Sequence, residues 1–395
     1  MKNSLHQLFP KVAIVTDQMT AFGGADRVLL SVLKVLPDAE IFTILFNKEK
    51  YPNLPKKQID TIHTSKLQKY KKIIALSNYR LLKIFIPYTY ESFDLSGFDL
   101  VISLSAGPGK SVITKIGQPH MAMVTTPPRS LWDKELNVRA SKFKKIYKTL
   151  SDKMNTDLRI WDYVISKRVD YWTSNSKYIS KKIKKTYGVD STVLYPGVSK
   201  EYFTKVEEKE LAQIKKKYNL PKHFNLVVSR LYDYKKVDVA IRCSIEAKKN
   251  LVIIGDGPDL KYLQSISKGH EGLITFLNYI PDKDVIAIYH LADVFLFCGT
   301  EDFGLTPVES MACGTPVFAY KEGGLLETIQ DHITGEFYTT EKELIKLILN
   351  FNEKDYNKNN LIKRAKEFSE EIFLDNFSNY IEYIYNNEKT TKENN

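Results

Sequence analysis

Glu301-Asp302-Phe303-Gly304-Leu305-Thr306-Pro307-Val308-Glu309 sets two glutamates eight positions apart, with a glycine and a Thr-Pro pair between them. The apolar run from Ala292 to Cys298 precedes this stretch, and Ser310-Met311-Ala312-Cys313-Gly314-Thr315-Pro316-Val317 follows it. That order predicts a strand, a loop, a short helix, a tight stop and the next strand. In an α/β sheet, a loop at a strand's carboxyl end that opens a helix is where phosphorylated ligands bind. The first helical turn has N–H groups without intrahelical partners, and the helix dipole favours an anion there. A carboxylate in the loop and another in the first turn repel a bare phosphate but accept hydrogen bonds from hydroxyls. The stretch therefore suits a ligand with both hydroxyl groups and a diphosphate, which describes a nucleotide sugar. A purely local reading stands beside it: Thr306-Pro307-Val308-Glu309 has the form of a capping box, with Thr as N-cap, Pro at N1 and Glu at N3.

Working outward, strands and helices alternate along the whole chain. Lys11 to Thr16 reads as a first buried strand, followed by a loop with Gly23-Gly24 and a helix from Ala25 to Leu36. Ile41–Phe46, Leu100–Ser103, Met121–Val124 and Asp170–Asn175 read as further strands, and Tyr147–Arg168 and Ser176–Tyr187 as helices. A second round begins after Tyr195-Pro196-Gly197-Val198. Its strands are Asn225–Val228, Leu251–Ile254, Ile274–Leu277, Val294–Phe297 and Pro316–Ala319, with a helix at Val237–Ala247 and a Gly255-Asp256-Gly257-Pro258 turn into a helix that ends near Ser267. Such alternation is the pattern of a parallel, doubly wound α/β sheet, here twice over. The expected domains are 1–196, 197–370, and a last segment, 371–395, with a helix from Ile372 to Tyr385 and a frayed polar tail.

At 395 residues the chain exceeds one compact core and suits two domains. Its apolar share of 43% excludes global disorder. No run of about 18 apolar residues is present, so no membrane-spanning helix is expected. Met1 to Pro10 lacks the apolar core of a secretory signal. Cys243, Cys298 and Cys313 are scattered and make no metal-ligand pair, which fits a reducing cytoplasm. Charge is unevenly spread: residues 1–200 carry 33 Lys and Arg against 16 Asp and Glu, and the remainder 25 against 31. A basic half joined to an acidic one suggests that one domain faces a polyanion. The segment Lys66–Phe85 has six cations, no acid and apolar residues at helical spacing. It fits either an anionic membrane surface or a surface helix with one face in the core. No nucleic-acid motif accompanies the charge, so nucleic acid is not an expected partner.

The block from Glu301 through Gly304 and Glu309 to Gly314-Thr315-Pro316-Val317 and Gly323-Gly324-Leu325-Leu326-Glu327 resembles the donor-site signature of retaining glycosyltransferases of family four, with the GT-B fold. That fold consists of two Rossmann-like doubly wound lobes facing a cleft, with a C-terminal helix crossing back to the N-terminal lobe. Arg230-Leu231-x-x-Tyr234-Lys235-Lys236-Val237-Asp238 resembles the same family's phosphate-binding segment. The resemblance implies that Arg230 and Lys235 hold the donor diphosphate, Glu301 the sugar hydroxyls and Glu309 the ribose. It places the backbone of Phe303, Gly304 and Leu305 against the sugar and phosphates, and makes Gly23 and Gly24 a phosphate-side loop. Arg230, Lys235 and Glu301 are the catalytic candidates. The segment Thr125-Thr126-Pro127-Pro128-Arg129-Ser130-Leu131-Trp132-Asp133 is similar to the family's acceptor-side stretch, with Thr125, Arg129 and Asp133 as candidates. Where the family often has a histidine, this chain has Thr125, and the nearby His120 does not replace it. Arg129 and Asp133 equally suit structural ion pairs.

What the resemblance implies is a retaining, metal-independent transfer of a hexose to a hydroxyl of a glycan or polyprenyl-linked acceptor. The donor expected first is GDP-mannose, from likeness to bacterial mannosyltransferases of surface-polysaccharide assembly, and a UDP-hexose second. No metal or other cofactor is expected, because Arg230, Lys235 and a helix N-terminus can offset the charge of the leaving diphosphate. The expected location is cytoplasmic, peripheral on the inner face of the cell membrane. A catalytically inactive nucleotide-sugar or polyanion binder is the alternative of another class.

Overall fold

A computed structural model describes residues 5–52, 54–70, 85–133 and 144–393. The chain falls into two compact units, Met1–Tyr195 with Phe373–Asn395, and Pro196–Ile372.

The first unit is built on a parallel seven-stranded sheet. Its strands are β1 (Val12–Thr16), β2 (Glu40–Thr43), β3 (Ile62–Thr64), β4 (Leu100–Ser105), β5 (His120–Val124), β6 (Tyr171–Ser174) and β7 (Thr192–Val193), in the order β3-β2-β1-β4-β5-β6-β7. All residues of β1, β4 and β5 are buried, which is why these strands read as unbroken runs: helices cover both faces of the sheet. On one face, Val28, Leu29 and Val32 of the Gly24–Val35 helix pack with Ile14, Ile102 and Met121. The last helix, Glu370–Glu393, joins the same core through Phe373, Phe377, Ile381 and Ile384, a stripe at helical spacing. On the other face, Tyr90, Leu95 and Val112 cover Ala13, Val15 and Val101.

The second unit has a parallel six-stranded sheet of β8 (Asn225–Val228), β9 (Leu251–Ile254), β10 (Ile274–Leu277), β11 (Val294–Phe297), β12 (Val317–Tyr320) and β13 (Gly335–Tyr338), ordered β10-β9-β8-β11-β12-β13. The chain moves outward from β8 through β9 to β10, then returns to lay β11 on the other side of β8. The carboxyl ends of β8 and β11 therefore flank the switch point at which open α/β sheets bind ligands.

Several sequence expectations need correction. The strand expected over Ile41–Phe46 stops at Thr43; Ile44 and Leu45 leave the sheet as a buried loop, and half-buried Phe46 makes an isolated parallel bridge to Met19. Strands β3, β7 and β13 were not legible, being two to four residues long and without an apolar run. The final helix does not end at Tyr385 but continues through the polar tail to Glu393. Glu388 there accepts a hydrogen bond from the Tyr171 hydroxyl at 2.8 Å, and a Lys389–Glu393 pair follows, so tertiary ties extend what composition alone would fray. In the basic Lys66–Phe85 segment, Lys66–Tyr70 is a short 3-10 helix, and residues 71–84 lie outside the described residues.

Candidate functional site

One turn with two glycines, Gly255-Asp256-Gly257, fixes the backbone at the carboxyl end of β8. Gly255 has φ +140°, and a Cβ built there would lie 1.9 Å from the Ser229 carbonyl oxygen; one on Gly257 would lie 2.4 Å from that of Leu231. The Leu231 N–H donates to the Asp256 carbonyl at 2.9 Å, and Leu231 is fully buried. The Gly-Asp-Gly turn thus presses on the chain on both sides of Arg230 and leaves its side chain pointing outward. The Arg230 guanidinium is exposed, donates from Nη2 to the Tyr232 hydroxyl at 3.1 Å and sits 5.1 Å from the centre of that ring.

Lys235 ends the 3-10 turn Asp233–Lys235. Gly299 lets the loop after β11 approach it: a Cβ there would lie 2.5 Å from the Tyr234 carbonyl oxygen and 3.0 Å from the Lys235 Cα. This close passage allows Lys235 Nζ to ion-pair with Glu301 Oε2. Both side chains are largely covered, 15% and 18% exposed. The ammonium also lies 5.3 Å and 5.5 Å from the ring centres of Tyr234 and Phe297.

Gly323-Gly324 supports Glu301 from beyond. Gly324 N–H donates to the Glu301 carbonyl at 2.8 Å, and a Cβ on Gly323, whose φ is +79°, would lie 2.3 Å from that same oxygen. The two glycines are thus needed for this approach.

Glu309 stands elsewhere than expected. The helix is Leu305–Ala312, and its N-cap is Gly304 with φ +96°, not Thr306. Glu309 is then the fifth helical residue, so neither the capping box nor a place in the first turn holds. Its side chain is buried and accepts from the Tyr289 hydroxyl at 3.3 Å. Phe303 is buried with its ring edge-on to Phe368 at 5.6 Å, which leaves its backbone as the part a ligand would meet. Gly304 and Leu305 begin the helix, whose first N–H groups have no partners within it.

In the other unit, Gly23 is the N-cap of the Gly24–Val35 helix, and its N–H donates to Asp26 Oδ2 at 2.8 Å. The Tyr51 hydroxyl donates to the other Asp26 oxygen at 2.6 Å. Asp26 thus already occupies the Gly23 N–H. Thr125 follows β5 directly and is half-buried; Arg129 opens the short helix Arg129–Trp132. Asp133 accepts from Lys182 Nζ at 3.1 Å, the structural ion pair the sequence had allowed. Residues 134–143, beyond it, lie outside the described residues.

Two features escaped the sequence reading. Asp162 is fully buried and accepts from Lys110 Nζ at 2.5 Å, Trp132 Nε1 at 2.7 Å and the Tyr187 hydroxyl at 2.7 Å. Burial pulls the Lys110 ammonium down from its ordinary pKa, while the Asp162 charge resists. This cluster fastens the Arg129–Trp132 helix to the core. Its one signal in the sequence is an aspartate between Leu158 and Ile165 in the inward stripe of a helix. His120 is the second: it is buried, 2.7 Å from Ser103 Oγ, and burial lowers its pKa to about 4. It has no part in the exposed surface.

The three cysteines are free and buried. Among the described residues one group has metal-ligand proximity, Asp331, His332 and Glu336, on the surface away from these loops.

Residues 208–368 match the family model of glycosyl transferases group 1. The D-inositol 3-phosphate glycosyltransferase of Corynebacterium aurimucosum is 28% identical over 52% of this chain and 55% of its own length. The GDP-mannose-dependent alpha-(1-6)-phosphatidylinositol monomannoside mannosyltransferase of Mycolicibacterium smegmatis is 31% identical over 43% and 49%. The matches thus span about half the length of these curated relatives. Among solved structures, Anabaena HepE in complex with UDP and glucose superposes with a TM-score of 0.69 at 17% identity, over 94% of this chain and 99% of that one. WaaG, a glycosyltransferase of lipopolysaccharide biosynthesis, superposes with 0.62 at 14% identity over the same shares. Residues 208–368 thus carry the likeness to glycosyl transferases group 1, and the chain as a whole has the GT-B fold.

Proposed function

We propose that this protein is a retaining, metal-independent hexosyltransferase that moves mannose from GDP-mannose to a hydroxyl of a glycan or polyprenyl-linked acceptor. The observation that carries the reading is the Lys235–Glu301 pair at the switch point between β8 and β11, a cation and an acceptor of hydroxyl hydrogen bonds held side by side. Lys235 and Arg230 meet the diphosphate, and the N-terminus of the Leu305–Ala312 helix, with Phe303, Gly304 and Leu305, adds backbone N–H groups. Glu301 orients the sugar through its hydroxyls, and Glu309 takes the ribose. In the N-terminal unit, Gly23 and Gly24 open a helix where Gly24 offers a backbone N–H to a phosphate. The C-terminal unit is the donor domain and the N-terminal unit the acceptor domain, where Thr125, Arg129 and Asp133 lie.

In the transfer, the acceptor oxygen bonds to the anomeric carbon on the face from which the diphosphate departs. The bond from that carbon to the phosphate oxygen breaks, and the departing phosphate takes the acceptor's proton. No side-chain base is required, so Thr125 in the histidine's place is compatible with it. Fixed cations aimed where charge develops stabilise the departing group.

GDP-mannose is supported by the name of the mycolicibacterial relative, and a UDP-hexose by the HepE complex. Among the described residues no helix is long and apolar enough to cross a membrane. Acceptors named for relatives include phosphatidylinositol monomannoside, and the basic N-terminal half supports work at an anionic inner membrane face. Thermal unfolding with GDP, UDP, ADP and their sugars tests the reading, since a ligand of the native state raises the midpoint by mass action. GDP and GDP-mannose should raise it most. A larger response to UDP and UDP-glucose moves the donor to a UDP-hexose, and no response to any nucleotide overturns the reading. Binding without product from a panel of glycan and lipid acceptors leaves a nucleotide-sugar binder.

A further inference from the structure

Three neighbouring elements of the N-terminal unit show large apolar side chains to water. Tyr88 is 70% exposed on the Ile86–Glu91 helix. Ile113 and Ile116 are 54% and 105% exposed in the loop after the Pro108–Ser111 turn. Ile160, Tyr163 and Val164 are exposed on the Lys144–Ile165 helix, at i, i+3 and i+4, so one stripe of that helix faces solvent instead of the core.

These elements are fastened to one another. Arg168, just past the long helix, donates from Nη1 to Glu91 Oε1 at 2.7 Å and to the Ser111 carbonyl at 2.6 Å. Lys110 in the same turn is bound to Asp162, two residues from Ile160 and one from Tyr163. The Ile116 tip is also built. Lys115 N–H donates to Gln118 Oε1 at 3.0 Å, Gln118 N–H donates to the Lys115 carbonyl at 3.1 Å, and Gly117 takes φ +72° between them. Buried Gln118 Nε2 then donates to the Leu95 and Phe98 carbonyls, each at 2.7 Å. A buried side chain is thus spent on holding a loop whose apex is a fully exposed isoleucine.

We propose that these side chains form a ledge by which the N-terminal unit seats on an anionic bilayer, with Ile113 and Ile116 entering the boundary between headgroups and acyl chains. Charge selects this occupant. Exposed Lys115 adjoins Ile116, and exposed Lys167 lies with Nζ 5.0 Å from the Tyr163 ring centre. The half of the chain that bears the ledge holds 33 basic residues against 16 acidic ones. Apolar tips ringed by cations bind such surfaces through buried area plus attraction to anionic lipid. The ledge deepens the membrane part of the proposed function by giving the contact an address outside Lys66–Phe85.

The test is co-sedimentation of the full-length protein with vesicles of phosphatidylglycerol and phosphatidylcholine, and with phosphatidylcholine alone. The wild type should bind the former and not the latter. Ile113→Ser with Ile116→Ser should lower vesicle affinity about tenfold or more, since two apolar tips are withheld from the bilayer. The double variant should keep its thermal midpoint and its response to GDP or UDP, because both side chains already face water. Ile116→Trp should retain binding and shift its emission to the blue when anionic vesicles are added. Unchanged affinity of the double variant overturns the ledge and leaves the membrane reading to other basic surfaces. Absence of wild-type binding to either vesicle overturns both. A concentration-dependent dimer that the same double substitution abolishes, without vesicle binding, makes the ledge a contact between copies instead.

Discussion

Lys235 Nζ and Glu301 Oε2 form an ion pair that joins the loop after β8 to the loop after β11. Each partner lends the other a fixed position, and each is largely removed from water. The pair is therefore both a structural tie and a preset arrangement for a diphosphate next to sugar hydroxyls. Lys235→Ala leaves the Glu301 carboxylate partly buried without its counter-ion, which costs more than the lost contact alone. We expect Lys235→Ala to weaken GDP or UDP binding by about tenfold to a hundredfold, the loss of one or two charge-assisted hydrogen bonds. Isothermal titration measures it. In a cycle with Glu301→Ala, the double variant should recover part of the thermal stability lost by Lys235→Ala. Strictly additive losses would mean that the pair is not energetically coupled.

Glu309 separates a packing role from a ligand role by choice of substitution. Glu309→Gln keeps an oxygen for the Tyr289 hydroxyl, so its thermal midpoint should stay near that of the wild type. Its nucleotide affinity should fall, because a carboxylate is the stronger acceptor for ribose hydroxyls. Glu309→Ala should lose stability as well, by about 1–3 kcal/mol, because the buried Tyr289 hydroxyl loses this acceptor. Equal nucleotide affinity in the wild type and Glu309→Gln would confine Glu309 to the core.

Legibility followed burial and run length. Strands β9 and β11 are four-residue apolar runs and β8 has three apolar residues after Asn225; all lie inside the sheet, and the sequence placed them to the residue. Strand β13, Gly335-Glu336-Phe337-Tyr338, has no such run, and only its pairing with β12 makes it a strand. The donor loop was readable as a loop opening a helix, but the start of that helix was not. Thr306-Pro307 is a strong start signal, yet proline lacks only an N–H that the first turn leaves unused anyway, so it fits the third position as well as the first. Gly304 in the left-handed region decides the matter and moves Glu309 inward. The partners of Asp162 come from positions 110, 132 and 187, separations that no local pattern encodes.

Backbone conformation beside the site gives a pair of opposite outcomes. Gly304→Ala asks a side-chain-bearing residue to hold φ +96°, with its Cβ 2.4 Å from Leu325 Cδ2. It should destabilise by about 1–3 kcal/mol and shift the helix start. Lys236, the residue before the Val237–Glu246 helix, already holds φ +53°. Lys236→Gly relieves that conformation and should stabilise by up to about 1 kcal/mol. Chemical denaturation of both variants gives the signs directly, and a destabilised Lys236→Gly would mean that its Asp233 ion pair outweighs the backbone term.

His120 predicts how stability responds to acid. Burial holds its pKa at about 4, below the ordinary histidine value, because the charged ring cannot be solvated between β4 and β6. The unfolded chain takes up a proton near pH 6.5 whereas the native state does so only near pH 4. Stability from this group is therefore complete above pH 6.5 and falls as the pH drops through the window to about 4. The full loss is about 3 kcal/mol, from roughly 1.4 kcal/mol per unit of pKa difference. His120→Gln keeps a polar group near Ser103 Oγ and removes the titration. Its unfolding free energy, measured from pH 7 to pH 4.5, should decline less steeply than that of the wild type even if it begins lower. Parallel pH profiles would show that the acid response arises from other groups.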